Sequence, residues 1–257
     1  MKFDALVSDL DGVVYRGDAP IPGAAEAINE LRGRGVKVVF CTNNSRSTLS
    51  QYVDKLASLG IDVELGDIVT SAVVTAETLQ QRGAGGRSAL VVGGDGIHEA
   101  LGSIGVAVDV EAPEDADFVV VGWDPGFTYE VMKRAALAVR SGAELIATND
   151  DAAFPAQDGL WPGAGAILAS IEVASGGSAE IMGKPHEPMM DAVARRVTGA
   201  EHIALVGDRP ETDLAGGRAR GWTTILVTSG VTTPEDAPTV EPKPDLIVGS
   251  LSEFLGQ

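Results

Sequence analysis

Phe3-Asp4-Ala5-Leu6-Val7-Ser8-Asp9-Leu10-Asp11-Gly12-Val13-Val14-Tyr15 is an apolar run that ends in two carboxylates and a glycine. The run is short and bounded, so it reads as a buried parallel strand. Open α/β sheets place ligands just outside the carboxyl ends of their strands. Gly12 permits a sharp turn there. Asp9 and Asp11 at such a spot suit a divalent cation, a nucleophile with an acid/base partner, or both. Taken alone, the pair also fits turn-forming aspartates, which are common where strands end. The rest of the chain decides.

Outward from this strand, apolar runs and helical patterns alternate. Gly23 to Arg34 has helical spacing through Ala24, Ala25, Ile28 and Leu31, and Gly35 stops it. Val36 to Cys41 is a second apolar strand, followed by the polar cluster Thr42-Asn43-Asn44-Ser45. Ser47 can cap a helix to Leu59, and Ile68 to Ser71 leads into a helix through Leu79. Gln80 to Arg87 is glycine-rich and polar and reads as a linker. A second alternating block follows, with strands at Ala89–Val92, Phe118–Val121 and Leu145–Ala147. Its helices are expected at Ile97–Ile104, Tyr129–Arg140 and from Pro162-Gly163-Ala164-Gly165 through Ala174. The pattern Val131, Ala135, Leu137, Ala138 is read as facing the core. The chain then returns through Lys184-Pro185, a helix at Met189–Val197 and a strand at Ile203–Val206. A helix at Leu214–Arg220 and strands at Thr224–Val227 and Leu246–Val248 close it. This alternation predicts an α/β protein with a doubly wound parallel sheet and a smaller α/β module inserted in it.

Composition narrows the partners. Among 257 residues, Asp and Glu outnumber Lys and Arg by 37 to 19, a formal charge of −18. That balance argues against nucleic acid and against anionic membrane surfaces. A small anionic substrate remains compatible, because a bound cation inverts the field of a local acidic site. The single cysteine, Cys41, lies in an apolar run and reads as a buried structural thiol. No apolar run reaches a membrane span and the N-terminus does not read as a signal peptide, so a cytoplasmic protein is the expectation. His98, His186 and His202 are scattered, which speaks against zinc. Gly177 to Lys184 is one residue too long for a phosphate-binding loop, and Pro185 stands where Ser or Thr belongs.

Four polar clusters share one position, the carboxyl end of an apolar strand or just beyond it: Asp9/Asp11, Thr42-Asn43-Asn44, Lys184, and Asp208 with Asp213. Carboxylates gathered without a cation would raise one another's pKa. Mg²⁺ would turn them into ligands, and the neutral donors and the lysine suit a phosphoryl group.

Asp9-Leu10-Asp11-Gly12-Val13, Thr42-Asn43-Asn44, Lys184-Pro185 and Gly207-Asp208-Arg209-x-x-x-Asp213 resemble, in order and spacing, the four motifs of the haloacid dehalogenase superfamily. Ala147-Thr148-Asn149-Asp150-Asp151 and Gly159-Leu160-Trp161-Pro162-Gly163-Ala164-Gly165 look like the cap segment of its NagD-like branch, which includes nitrophenylphosphatase-like, phosphoglycolate and glycerol-phosphate phosphatases. The resemblance covers nearly the whole chain. It implies a Rossmann-like core at residues 1–80 and 181–257 and an α/β cap at 81–180. It implies Mg²⁺-dependent hydrolysis of a small phosphorylated metabolite: a sugar or glycerol phosphate first, a nucleoside monophosphate or phosphoglycolate next.

The resemblance also implies roles. Asp9 would carry an aspartyl-phosphate, and Asp11 would protonate the leaving alcohol and ligate Mg²⁺ through its carbonyl. Thr42 and the Asn43 backbone would hold phosphate oxygens, with Asn44, Gly12, Asn149 and Asp151 as further substrate or phosphate contacts. Lys184 would neutralise charge, Asp208 would ligate the metal, and Asp213 would hold a water of its shell or orient Lys184. Gly12 to Gly17 would form the flap beside the nucleophile. Arg46, Arg209, Trp123 and Trp161 fit a substrate mouth or ordinary surface and packing roles equally well. Asp150 stands where the branch often has proline, which adds a carboxylate. Dehalogenases of the superfamily lack an acid two residues after the nucleophile, so Asp11 speaks against C–halogen cleavage. The same scaffold would also accommodate a mutase or a non-catalytic metabolite-binding module. Caps of this branch often pair, which makes a homodimer through the cap an expectation by resemblance.

Overall fold

The computed structural model describes residues 3–108, 110–156 and 159–254. Its contacts divide the chain into two compact units. One comprises residues 1–42, 50–69 and 184–257, the other 43–49 and 70–183.

The first unit is built on a six-stranded sheet in the spatial order Leu246–Val248, Thr223–Val227, Ile203–Gly207, Ala5–Ser8, Lys37–Thr42, Ile68–Thr70. Numbered along the chain this is 6-5-4-1-2-3, the doubly wound order. Every pairing from Leu246–Val248 to Lys37–Thr42 is parallel. The central strand Ala5–Ser8 is buried at every residue, as its unbroken apolar run requires. Its neighbours on the two sides are Ile203–Gly207 and Lys37–Thr42, so the order reverses at this strand. Asp9 and Asp208 therefore follow the two strands that flank the switch point. The helix Ala24–Gly33 buries Ala24, Ala27, Ile28 and Leu31, one stripe at helical spacing. Gly35 follows it at φ 84°, a conformation open to glycine.

The second unit carries a five-stranded parallel sheet in the order Glu180–Ile181, Glu144–Ala147, Phe118–Val121, Ser88–Val92, Ala107–Val108. Along the chain this is 5-4-3-1-2, the other common doubly wound order read from its far edge. Val119, Val121, Ala135, Ala138, Leu145, Ile167, Leu168 and Ile171 form its core. The helices Tyr129–Arg140 and Ala164–Ser175 supply one side of that core. Thr128 caps the first by accepting from the Val131 amide at 3.3 Å. Gly176 ends the second at φ 76°.

Two expectations change, and one pair of strands is new. The stretch Gln80–Arg87 is mostly exposed but begins inside the helix Ser71–Gln81, buries Ala84 and ties Arg82 to Glu180 in a bidentate surface pair. Leu137 points outward at 46% exposure, because it lies two residues and about 200° from buried Ala135. Ala153–Ala156 and Gly159–Pro162 form an antiparallel hairpin that the sequence pattern hides. Pro155 and Pro162 removed the strand signal, since proline is confined to strand edges and ends. Among the described residues, no helix is long and apolar enough to cross a membrane.

Candidate active site

In the first unit, four of the expected residues meet. Lys184 is 3% exposed and its Nζ donates to Asp9 Oδ1 and to Asp213 Oδ1, both at 2.7 Å. It also donates to the Cys41 carbonyl at 3.0 Å. All three ammonium donors are thus spent within the protein, which fixes the head in one place. Asp208 is held by its own shell. The Val231 amide donates to Oδ2 at 2.6 Å, and Thr232 Oγ1 donates to the Asp208 carbonyl at 2.6 Å. The Arg209 amide, just ahead of the turn Pro210–Leu214, donates to Asp213 Oδ2 at 3.2 Å, and the π-helical winding of that turn carries Asp213 inward.

Glycines make the room. A Cβ on Gly12 would lie 2.3 Å from Asp208 Oδ2, and one on Gly230 only 1.9 Å from it. A Cβ on Gly207 would lie 2.2 Å from the Asp213 carboxylate. Gly12 also sits at φ 82°, where other residues are strained.

The electrostatics of this pocket call for a cation. Burial raises Asp9 well above the usual carboxylate range, and Asp213 and Asp208 add to the rise that Lys184 opposes. Burial, with Asp213, pushes Asp208 up to about 6. Burial alone would lower Lys184, but Asp213 and Asp9 outweigh it and hold the ammonium well above its ordinary value. Three carboxyl groups outnumber the two cations that act on them, Lys184 and, at Asp208, Arg209. Donor oxygens of Asp9, Asp208 and Asp213 lie within 4.8 Å of one another, a group able to hold a metal ion. Lys184 and Val231 each engage one oxygen of Asp9 and Asp208, leaving Asp9 Oδ2 and Asp208 Oδ1 for a cation. Hard oxygens of this kind suit Mg²⁺. The residues fit the ion.

Asp11 is half-buried at the start of the turn, and burial raises its pKa while Lys55, Arg209 and Lys184 pull it down. Thr42 ends its strand 2% exposed, and its hydroxyl shares a hydrogen bond with Tyr52. Burial raises the Cys41 thiol to about 12, so it is inert packing.

In the second unit, Asn43, Asn149 and Asp151 form their own cluster. Asn149 Nδ2 donates to the Asn43 carbonyl at 2.8 Å, and Asn43 Nδ2 donates to Asp151 Oδ1 at 3.1 Å. Ser71 Oγ donates to the same Asn43 carbonyl at 2.6 Å. Gly163 and Gly165 have no space for a Cβ, because the Asp151 and Asp150 carbonyls would each lie 2.2 Å from it. The Pro162-Gly163-Ala164-Gly165 run therefore seats the Asn149–Asp151 loop. Asn44 Oδ1 accepts from the Arg46 amide at 3.0 Å and shapes the turn. The Arg46 guanidinium lies 5.4 Å from the Trp123 ring centre, and Trp123 Nε1 donates to the Pro162 carbonyl at 3.1 Å. Trp161 is 43% exposed and Asp150 is exposed.

Sequence reading missed Ser229, Gly230, Val231 and Thr232, which build the Asp208 cradle. They follow the strand Thr223–Val227, so the rule that found the other clusters applies to them. It also missed Tyr52 and Lys55, which carry no motif.

A doubly wound sheet with Asp9, Lys184, Asp208 and Asp213 gathered beyond its strand ends defines a haloacid dehalogenase-like site. Family models agree: haloacid dehalogenase-like hydrolase matches residues 6–107 and a HAD-hydrolase-like model matches 181–254. An acid sugar phosphatase of Staphylococcus aureus is 36% identical over 100% of this chain and 98% of its own length. The chain belongs to the haloacid dehalogenase-like hydrolases, in their NagD-like branch. Among solved structures, p-nitrophenyl phosphatase from Archaeoglobus fulgidus superposes with a TM-score of 0.91 at 30% identity, covering 100% of this chain and 99% of that one. Glycerol phosphate phosphatase from Mycobacterium tuberculosis, in complex with magnesium, gives 0.87 at 31% identity over 97% of this chain and 75% of that one.

Proposed function

We propose that this chain is a Mg²⁺-dependent phosphatase that hydrolyses small phosphomonoesters, sugar and glycerol phosphates foremost, through an aspartyl-phosphate on Asp9. The observation that carries the reading is Lys184 Nζ at 2.7 Å from both Asp9 and Asp213 in a buried acidic cluster. A binding protein has no need of a desolvated nucleophile with its counter-ion and a second acid two residues on.

Asp9, Asp208 and the Asp11 carbonyl would hold Mg²⁺, with Asp213 beside them. The ion would supply positive charge where the phosphoryl group carries negative charge. An oxygen of Asp9 attacks phosphorus as the ester P–O bond breaks, and Asp11 gives its proton to the departing alkoxide. Asp11, now a carboxylate, takes a proton from water as that water's oxygen attacks the same phosphorus. The Asp9–phosphorus bond breaks and inorganic phosphate leaves. The raised pKa of Asp11 favours the protonated form the first step requires. Lys184 keeps Asp9 oriented and screens its charge from the phosphoryl oxygens, to which Thr42 and the Asn43 amide donate. Asn44, Asn149 and Asp151 serve substrate recognition in this reading.

Phosphate release from glycerol, sugar and 4-nitrophenyl phosphates tests it. Release should require Mg²⁺, stop with a chelator, and fall at least about 10⁴-fold in Asp9→Asn, which has no anionic nucleophile. Unchanged release in Asp9→Asn would overturn the mechanism, and no release from any ester would overturn the activity.

A further inference from the structure

The turn that carries Asp11 is closed by its own backbone bonds and continues into a very short ribbon. Gly12 N donates to the Tyr15 carbonyl at 2.7 Å, and the Val14 and Tyr15 amides donate to Leu10 at 2.9 and 3.3 Å. Beyond it, Tyr15–Arg16 pairs with Ala19–Pro20 in a ribbon of two residues a side. So short a ribbon is not stable alone, and Pro20 brings no amide to it.

Two side chains grip this ribbon from outside. Lys55, on the helix Leu49–Ser58, donates from Nζ to the Gly17 carbonyl at 2.8 Å, and the same Nζ lies 3.5 Å from the centre of the buried Tyr15 ring. A hydrogen bond and a cation–π contact thus converge on one ammonium. Tyr52, one turn earlier on the same helix face, reaches Thr42. On the other side, Arg16 Nη2 donates to the Ser229 carbonyl and, at 3.1 Å, to the Gly230 carbonyl. Ser229 Oγ returns a hydrogen bond to the Gly12 carbonyl at 2.6 Å. Gly230 lies against Asp208, so the second grip ties the Asp11 turn to the segment that cradles Asp208.

We propose that Lys55 and Arg16 are positioning residues that pin the Gly12–Gly17 turn from both sides and so hold Asp11 in register with Asp9. The proposal rests on the phosphatase reading. Neither residue touches reacting atoms: Arg16 acts through backbone carbonyls, and Lys55 acts through the Gly17 carbonyl, the Tyr15 ring and its charge, which also acts on Asp11, so Arg16→Met is the variant without that field effect.

A leaving-group comparison separates this from a general structural role. Nitrophenolate departs without a proton, whereas an alkoxide needs one from Asp11. The value of kcat/KM reports the steps through phosphoryl transfer and leaves out hydrolysis of the intermediate, which is common to all esters. In Lys55→Met, kcat/KM should fall about tenfold for glycerol phosphate and stay within about twofold for 4-nitrophenyl phosphate. Lys55→Arg, which keeps both contacts, should restore most of the loss. Arg16→Met should fall in the same direction, and its exposed position lets it serve if Lys55→Met fails to fold. Hydrogen–deuterium exchange of residues 12–17 should quicken in both Met variants. Equal losses on the two esters, or unchanged exchange in the turn, would overturn the proposal. If the wild-type protein turns over neither ester, the phosphatase reading falls, and the exchange comparison alone decides whether the pins exist.

Discussion

Asp208 shows how much of this site depends on atoms that are missing. Two glycines, Gly12 and Gly230, leave the space its carboxylate fills. Gly230→Ala would drive a methyl group to 1.9 Å from Oδ2. The backbone carrying Val231 and Thr232 would have to shift, and both of their hydrogen bonds to Asp208 with it. The substitution should cost about 1–3 kcal/mol of stability, the range of overpacking in a tight core. It should also shrink the rise in Tm expected from Mg²⁺ in the wild-type protein if the proposed site holds the ion. Calorimetry with and without the ion checks both effects. Gly33→Ala is the control, since nothing lies within 4 Å of its Cβ and the residue is helical. That change should leave the protein as stable or slightly more so.

At the scale of elements, strand ends do most of the positioning. The last strand, Leu246–Val248, is locked by the residue before it. Asp245 Oδ2 accepts from the Thr224 amide and from Thr224 Oγ1, both at 2.8 Å. Those bonds hold Asp245 below its ordinary value of 3.8, with Arg218 helping. A carboxyl depressed by folding stabilises above its unfolded pKa and loses that contribution as pH falls through the folded one. Asp245→Asn should therefore lower Tm at neutral pH, and the gap to wild type should close as pH falls below 4. Thermal melts across pH 3 to 7 measure it; a gap that persists at the acid end would assign the loss to geometry instead of charge. The hairpin Ala153–Ala156/Gly159–Pro162 teaches the complementary point. Its prolines conceal strands that only pairing with each other reveals.

At the scale of the whole molecule, the charge of −18 is the dominant global property. Self-repulsion among exposed acids opposes compactness, and salt screens it over a Debye length of about 10 Å at 0.1 M and about 3 Å at 1 M. Raising KCl from about 0.1 M to about 1 M should raise Tm at pH 7. The gain should flatten near the isoelectric point of about 4.4, where the net charge vanishes. A salt effect of equal size at both pH values would point to apolar burial as its source.

Sequence alone determined the alternation of strands and helices, the buried strand that runs up to Asp9, and the four clusters at strand ends. Each of these follows from local periodicity or from a polar residue placed where an apolar run stops, so one chain segment suffices to read it. Tertiary structure decided the rest. The 3-2-1-4-5-6 strand order brings Asp9 beside Asp208 although 199 positions separate them in the chain. The Asp208 cradle and the grips of Lys55 and Arg16 join segments up to 217 residues apart through backbone carbonyls and amides. Main-chain groups are the same at every residue, so no side-chain pattern announces which of them a distant lysine, arginine or carboxylate will meet.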